Sequence, residues 1–241
     1  VVLTALLLAV VLAALASGAV ALVVERVAYR PLRRRNAPPL VFLISAIGTS
    51  LLIQEVYALF LGRDTVRVGN LVAPSTQFTL FGADVTNRHL LIITSAVIMM
   101  VCLDTFVSRT RLGRGLRAVS QNAEVASLMG VNRDRVIALA FLLGGLMAGV
   151  AAVLYDLNFG VTRFSAGFLI GLKAFTAAVL GGIGNLRGAL LGGLLLGLME
   201  NWGQALLGWA GRDVSAFVFL VVVLMIRPTG ILGESLGRAR V

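Results

Sequence analysis

Val1-Val2-Leu3-Thr4-Ala5-Leu6-Leu7-Leu8-Ala9-Val10-Val11-Leu12-Ala13-Ala14-Leu15-Ala16-Ser17-Gly18-Ala19-Val20-Ala21-Leu22-Val23-Val24 is 24 residues without one charged side chain. A helix needs about 20 predominantly apolar residues to cross the hydrocarbon core of a bilayer, so this run predicts a spanning helix. It is too long for the apolar core of a signal peptide and carries no clear cleavage site. The next twelve residues, Glu25–Asn36, hold Arg26, Arg30, Arg33, Arg34 and Arg35. An apolar run that ends in a basic cluster is the pattern of a span whose end faces the cytoplasm.

Six further segments follow the same rule. Leu40–Leu61 starts after Pro38-Pro39, a helix-start signal. Leu90–Val107 and Val136–Tyr155 come next. Ser165–Ile183 is interrupted by Gly171 and Lys173 and suits either a span or a re-entrant pair of half-helices. Gly188–Leu207 and a short Val214–Ile226 complete the set. The chain is 59% hydrophobic and 13% charged, against about a quarter charged for a soluble domain. The predicted fold class is therefore all-α: a polytopic transmembrane helical bundle of about seven membrane segments, in one domain over 1–241, with a short or broken segment near 165–184.

The net charge of +10 belongs to this pattern and not to nucleic-acid binding, because the arginines sit between apolar runs. Fifteen arginines fall in the connections on one side of a seven-span chain: five in Glu25–Asn36, six in Ser108–Arg135, then Arg187, Arg227, Arg238 and Arg240. Five fall on the other: Arg63, Arg67, Arg88, Arg163 and Arg212. The basic side is the cytoplasmic one, so the expected topology has residue 1 outside and the C-terminus inside.

Two connections are long. Residues 62–88 alternate in places (Thr65-Val66-Arg67-Val68, Phe78-Thr79-Leu80-Phe81) and contain Gly69-Asn70 and Pro74, which predicts a small external β-hairpin. Residues 108–135 are internal. Arg117–Met129 reads as one helix, with Gly130 as its stop and Asn132 as the cap of the next. Val125, Leu128 and Met129 form an apolar spot on an otherwise polar element. Two readings stay open here: a helix that docks in a groove on a soluble partner, or one that lies on the bilayer with its arginines on lipid phosphates.

Enzyme chemistry finds little support. There is no Gly-x-x-x-x-Gly-Lys-Ser/Thr loop for ATP. A single histidine, His89, and a single cysteine, Cys102, predict no metal site and no disulfide. Ionisable groups within spans are functional candidates because a bilayer makes them costly. Lys173, the only lysine, lies inside the fifth segment and Glu200 two-thirds along the sixth. Glu55 and Asp104 lie near segment ends, where an interfacial role suffices. Gly145-x-x-x-Gly149, Ala148-x-x-x-Ala152, Gly188-x-x-x-Gly192 and Gly193-x-x-x-Gly197 predict close helix packing.

Four blocks resemble the permeases of branched-chain amino acid ABC importers: Glu25–Arg33, Gly113–Asn132, Gly171–Gly184 and Arg227–Gly233. The Gly171-Leu172-Lys173-Ala174-Phe175 block and the Arg227-Pro228-Thr229-Gly230 ending resemble the first, H-type, of the two permeases such systems use. The resemblance implies an inner-membrane, multi-pass transport subunit that is not itself an enzyme and has no cofactor of its own. Its implied partners are a second permease chain, two cytoplasmic ATPases that bind ATP and Mg, and a periplasmic substrate-binding protein, within membrane lipid. It also implies that residues 108–135 form the coupling loop, with Arg117, Asn122, Ala123, Glu124, Val125, Leu128, Met129, Gly130 and Asn132 at the ATPase contact. Gly171, Lys173, Phe175 and Glu200 are the candidates for the pathway or for bonds between helices. The family begins with further segments that include an Asn-Phe-Ala-His-Gly-like stretch. Asn158-Phe159-Gly160 is only a faint echo, so an N-terminal segment is expected to be missing. The alternatives are a permease for a sugar, nucleoside, urea or other amide, and a truncated homologue that does not transport.

Overall fold

The computed structural model describes residues 2–67, 76–80, 83–208 and 211–233. The chain divides into two compact units, Val1–Ser165 and Ala166–Val241.

In the first unit, α1 (Val2–Val24) does not stop where its uncharged run stops. It continues through a π-helical turn, Glu25–Tyr29, into α2 (Arg30–Arg34). Thr4–Arg34 is thus one long apolar helix with a charged end. After α3 (Pro39–Leu61) come β1 (Val66–Arg67), β2 (Thr76–Leu80) and β3 (Ala83–Thr86), then α4 (Asn87–Arg109), α5 (Arg111–Gln121), α6 (Ala123–Leu128), α7 (Arg133–Phe159) and β4 (Val161–Thr162). The second unit holds α8 (Ala166–Gly181), α9 (Leu186–Leu207) and α10 (Gly211–Ile226).

Small residues decide where helices meet. On α7, a Cβ at Gly145 would lie 2.6 Å from Ala21 Cβ and 2.8 Å from Ser17 O, and one at Gly149 would run into the backbone of Ala13 and Ala14. Neither glycine has room for a side chain, so α1 and α7 pack backbone to backbone. Leu6, Leu154 and Leu157 form a core beside this seam, with Leu91 and Ile92 of α4 against it. In the second unit, Gly188 and Gly192 of α9 press on Gly181 and Ala177 of α8. Gly197 faces open space, so of the two α9 patterns Gly188-x-x-x-Gly192 is the packed one.

α3 meets the rest of its unit at the π-helical turn, where Tyr29 stacks on Phe42 with centroids 6.2 Å apart. A groove of about 630 Å³ runs between α1 and α3, lined by apolar residues such as Val20, Val24 and Leu52. Leucines and valines stay exposed along α1, α3 and α4, as helices require when their surroundings are lipid or other helices.

The expectation of seven spans is corrected. Among the described residues, four helices are each long and apolar enough to cross a bilayer: Thr4–Arg34, Leu40–Leu61, Asn87–Arg109 and Arg133–Phe159. The number rises to five if α8 and α9, bent by 117° at their junction, count as one broken span. α8 and α10 have 16 residues each, which at the usual rise is about 24 Å and falls short of a core of about 30 Å.

The expected external hairpin is also corrected. β2 and β3 pair antiparallel, with Phe78 opposite Val85 and Leu80 opposite Ala83. β1 does not join them. It pairs with β4, Val66 opposite Thr162, and so ties this connection to the end of α7. Gly69-Asn70 and Pro74 lie outside the described residues, and the strands themselves assign no side of a membrane.

Candidate functional site

The connection between α4 and α7 is built from local capping. Thr110 Oγ1 accepts from Gly113 N at 3.0 Å and starts α5. Gly113 is buried against the carbonyls of Phe106 and Val107, with no room for a Cβ, so the first turn of α5 folds back on the last turn of α4. Arg117 Nη2 donates to Ser108 O at 3.1 Å and holds the same fold-back one turn later.

The single helix expected over Arg117–Met129 is broken at Asn122, a correction with a clear cause. Asn122 is extended (φ −153°, ψ 107°) and its side chain accepts from the amides of Glu124 and Val125 at 3.0 and 3.1 Å. It caps a new helix and does not continue the old one. α6 is six residues long and ends at Gly130, whose φ of +84° suits glycine. Asn132 then accepts from Arg135 N at 3.1 Å and caps α7.

This short helix is held at both ends and buries only Ala126; Ala123 is half-buried. Val125, Leu128 and Met129 project outward, with Leu128 85% and Met129 81% exposed. Glu124 is exposed in its first turn, and Arg117 is exposed on α5. The loop residues singled out by sequence therefore fall into two sets: caps and stops (Asn122, Gly130, Asn132) and presented side chains (Arg117, Glu124, Val125, Leu128, Met129).

A charged cluster beside this loop was missed by sequence reasoning, which treated its arginines as markers of side. Arg33 Nη2 lies 2.9 Å from Glu25 Oε1 and 2.7 Å from Asp134 Oδ1. Arg30 Nη2 lies 3.0 Å from Asp134 Oδ2. Asp134 is in the first turn of α7, directly after α6. The end of the first span is thus bonded to the helix that leaves this loop. The available signal was Glu25 itself, the only acid in residues 1–54.

In the second unit, Lys173 and Glu200 come together and Gly171 and Phe175 do not join them. Lys173 Nζ on α8 lies 2.9 Å from Glu200 Oε1 on α9 and 2.7 Å from Asp213 Oδ1 on α10. Arg212 Nε donates to Glu200 Oε2 at 3.0 Å. Two cations and two carboxylates therefore balance across three helices. Gly171 faces open space and Phe175 is exposed. Glu55, read as interfacial, pairs with Arg63.

The ending Arg227–Gly233 returns to the junction of α8 and α9. Ile231 N donates to Leu180 O at 2.9 Å, Leu232 N to Gly181 O at 3.0 Å, and Asn185 Nδ2 to Leu232 O at 3.0 Å. Asn185 also caps α9 through the amides of Arg187 and Gly188. Gly182 (φ +108°) and Gly230 (φ +84°) approach backbone to backbone, which a Cβ on either would prevent. Two of the four conspicuous blocks are thus one structural unit.

A family model described as the permease component of branched-chain amino acid transport systems matches residues 1–227. The chain belongs to this family. It is 43% identical over 218 residues to the high-affinity branched-chain amino acid transport system permease protein BraD of Pseudomonas aeruginosa, covering 88% of this chain and 69% of that one. It is 41% identical over 216 residues to the permease LivH of Escherichia coli strain K12, with the same coverage. A probable LivH of Methanocaldococcus jannaschii is 26% identical over 140 residues, 56% of this chain and 43% of that one. No solved structure matches. The resemblance to the H-type permease is therefore upheld, and the chain is a multi-pass membrane protein of a transport family.

Proposed function

We propose that the chain is the membrane-spanning subunit of an ATP-driven importer for branched-chain amino acids, and that α6 is the element by which cytoplasmic ATPases drive it. The observation that carries this is the presentation of Leu128 and Met129 on a six-residue helix capped at both ends. An exposed apolar spot on a rigid, otherwise polar projection has no use in water and fits a groove on another protein. The names of the relatives support the substrate class.

The chain binds and hydrolyses no nucleotide itself in this reading. Two ATPase partners hold ATP and Mg, a second permease chain completes the pathway, and a periplasmic binding protein delivers the substrate. The basic connections, α6 included, lie in the cytoplasm and the C-terminus with them, in the inner membrane. When the ATPases close, α6 follows its groove. Asn132 passes the displacement into α7, and Asp134 with Arg30 and Arg33 passes it to the end of the first span. α1 and α7 then move as one body, because their seam has no slack at Gly145 and Gly149. Lys173 and Glu200 hold α8, α9 and α10 together beside the pathway. Coupling of this kind needs α6 to make different contacts in the two states.

The test is reconstitution of the chain with its partner permease, ATPases and binding protein, scanning ligands for stimulated ATP hydrolysis. Leucine, isoleucine or valine should stimulate and enter the vesicle. Stimulation by a sugar, nucleoside or urea in their place would replace the substrate assignment, and no stimulation by any ligand would remove the transport reading.

A further inference from the structure

The break at Asn122 leaves α5 with a chemistry of its own. Arg111, Arg114 and Arg117 recur every three residues and share one side of the helix, while Leu112, Leu116 and Val119 share the other. Residues 105–123 hold Arg109, Arg111, Arg114 and Arg117 and no acid at all. All four are exposed. The flanking carboxylates are Asp104 on α4, Glu124 on α6 and Asp134 on α7, and Asp134 is taken by Arg30 and Arg33.

Position matters as much as charge. α4 ends at Arg109, the end of a membrane span. Gly113 packed on the carbonyls of Phe106 and Val107, and Arg117 bonded to Ser108 O, keep α5 folded back on the end of α4. Its arginines therefore begin at the end of the span, and Arg117 is drawn back to Ser108; lipid phosphates lie where a span ends. Arginine donates in a planar fork that matches phosphate oxygens. Leu112 is left exposed on the opposite side, as an interfacial helix requires if one face is to dip among acyl chains.

We propose that the arginine face of α5 is a binding surface for anionic phospholipid headgroups, fixing the root of the docking loop to the bilayer while α6 remains free for a protein partner. Orienting a span needs only positive charge somewhere in the connection; this surface uses charge held at headgroup depth. It acts without ATPases, substrate or transport, so its failure and that of the importer reading are separable.

The full chain, purified in neutral detergent, is titrated with phosphatidylglycerol or phosphatidylcholine, and bound lipid is counted by native mass spectrometry. Phosphatidylglycerol should bind at concentrations where phosphatidylcholine does not. R111Q/R114Q should weaken phosphatidylglycerol binding on the order of 30-fold and leave phosphatidylcholine unchanged. R63Q/R67Q, which removes the same charge from another connection, should change neither. If the double variant does not fold, R111Q and R114Q alone should each weaken binding about fivefold. Unchanged phosphatidylglycerol binding in the α5 variants, an equal loss in R63Q/R67Q, or displacement by equimolar inorganic phosphate would each overturn the proposal.

Discussion

Replacing Arg33 by alanine should be among the most damaging single changes in residues 1–165. One nitrogen of Arg33 contacts both Glu25 and Asp134, and the Glu25 side chain is 2% exposed. Truncating Arg33 leaves that carboxylate buried and uncompensated, which costs about 3–5 kcal/mol. Asp134 suffers less, because it is 30% exposed and keeps Arg30 at 3.0 Å. Arg34 provides an internal comparison. It lies 3.9 Å from Asp134 with its side chain 67% exposed, a contact worth about 0–1 kcal/mol. Arg33→Ala should therefore destabilise by about 3 kcal/mol more than Arg34→Ala. Adding Glu25→Gln to Arg33→Ala should restore part of the loss, since the orphaned charge is then gone. Unfolding by SDS in mixed micelles, followed by circular dichroism, measures all three variants. If Arg33→Ala and Arg34→Ala fall within about 1 kcal/mol of each other, or Glu25→Gln gives no recovery, the buried-charge reasoning is wrong.

Other outcomes follow from the same geometry. Gly149→Leu should abolish the α1–α7 seam and the yield of monodisperse protein, whereas Gly144→Leu, which faces open space, should not; equal yields would refute the seam. Lys173→Met should destabilise by about 1–3 kcal/mol, because Glu200 is buried and loses one of its two cations while keeping Arg212, and Asp213→Asn by under about 1 kcal/mol because Asp213 is 57% exposed; SDS unfolding again decides. Asn122→Ala should remove the cap of α6 at a cost of about 1 kcal/mol, seen as faster hydrogen exchange at the amides of Glu124 and Val125.

What the sequence made legible was local. Apolar runs, Gly130 as a stop and Asn132 as a cap are each read within a few residues, because their chemistry acts within a turn of helix. The membrane fold follows from hydropathy for the same reason. The break at Asn122 was hidden because Arg117–Met129 is helix-compatible throughout, and the deciding event is one side chain accepting from two amides. The number of spans was overestimated because hydropathy registers apolar length without showing that α8 and α9 meet at a sharp bend through Gly182 and Gly184. Arg33 and Asp134 are 101 residues apart in sequence, and the return of Ile231 to Leu180 is a backbone pairing; neither leaves a periodic trace. Lys173 was found because charge in an apolar segment is conspicuous, but its partners on two other helices were not readable from that segment.

The central claim is that α6 couples partner ATPases to movement through this chain. The most direct test is uptake of radiolabelled leucine by proteoliposomes holding the assembled transporter, measured together with ATP hydrolysis, for wild type, Leu128→Asp and Glu124→Arg. The account predicts that both variants insert and fold like wild type while uptake per ATP hydrolysed collapses. Normal uptake by both would contradict it.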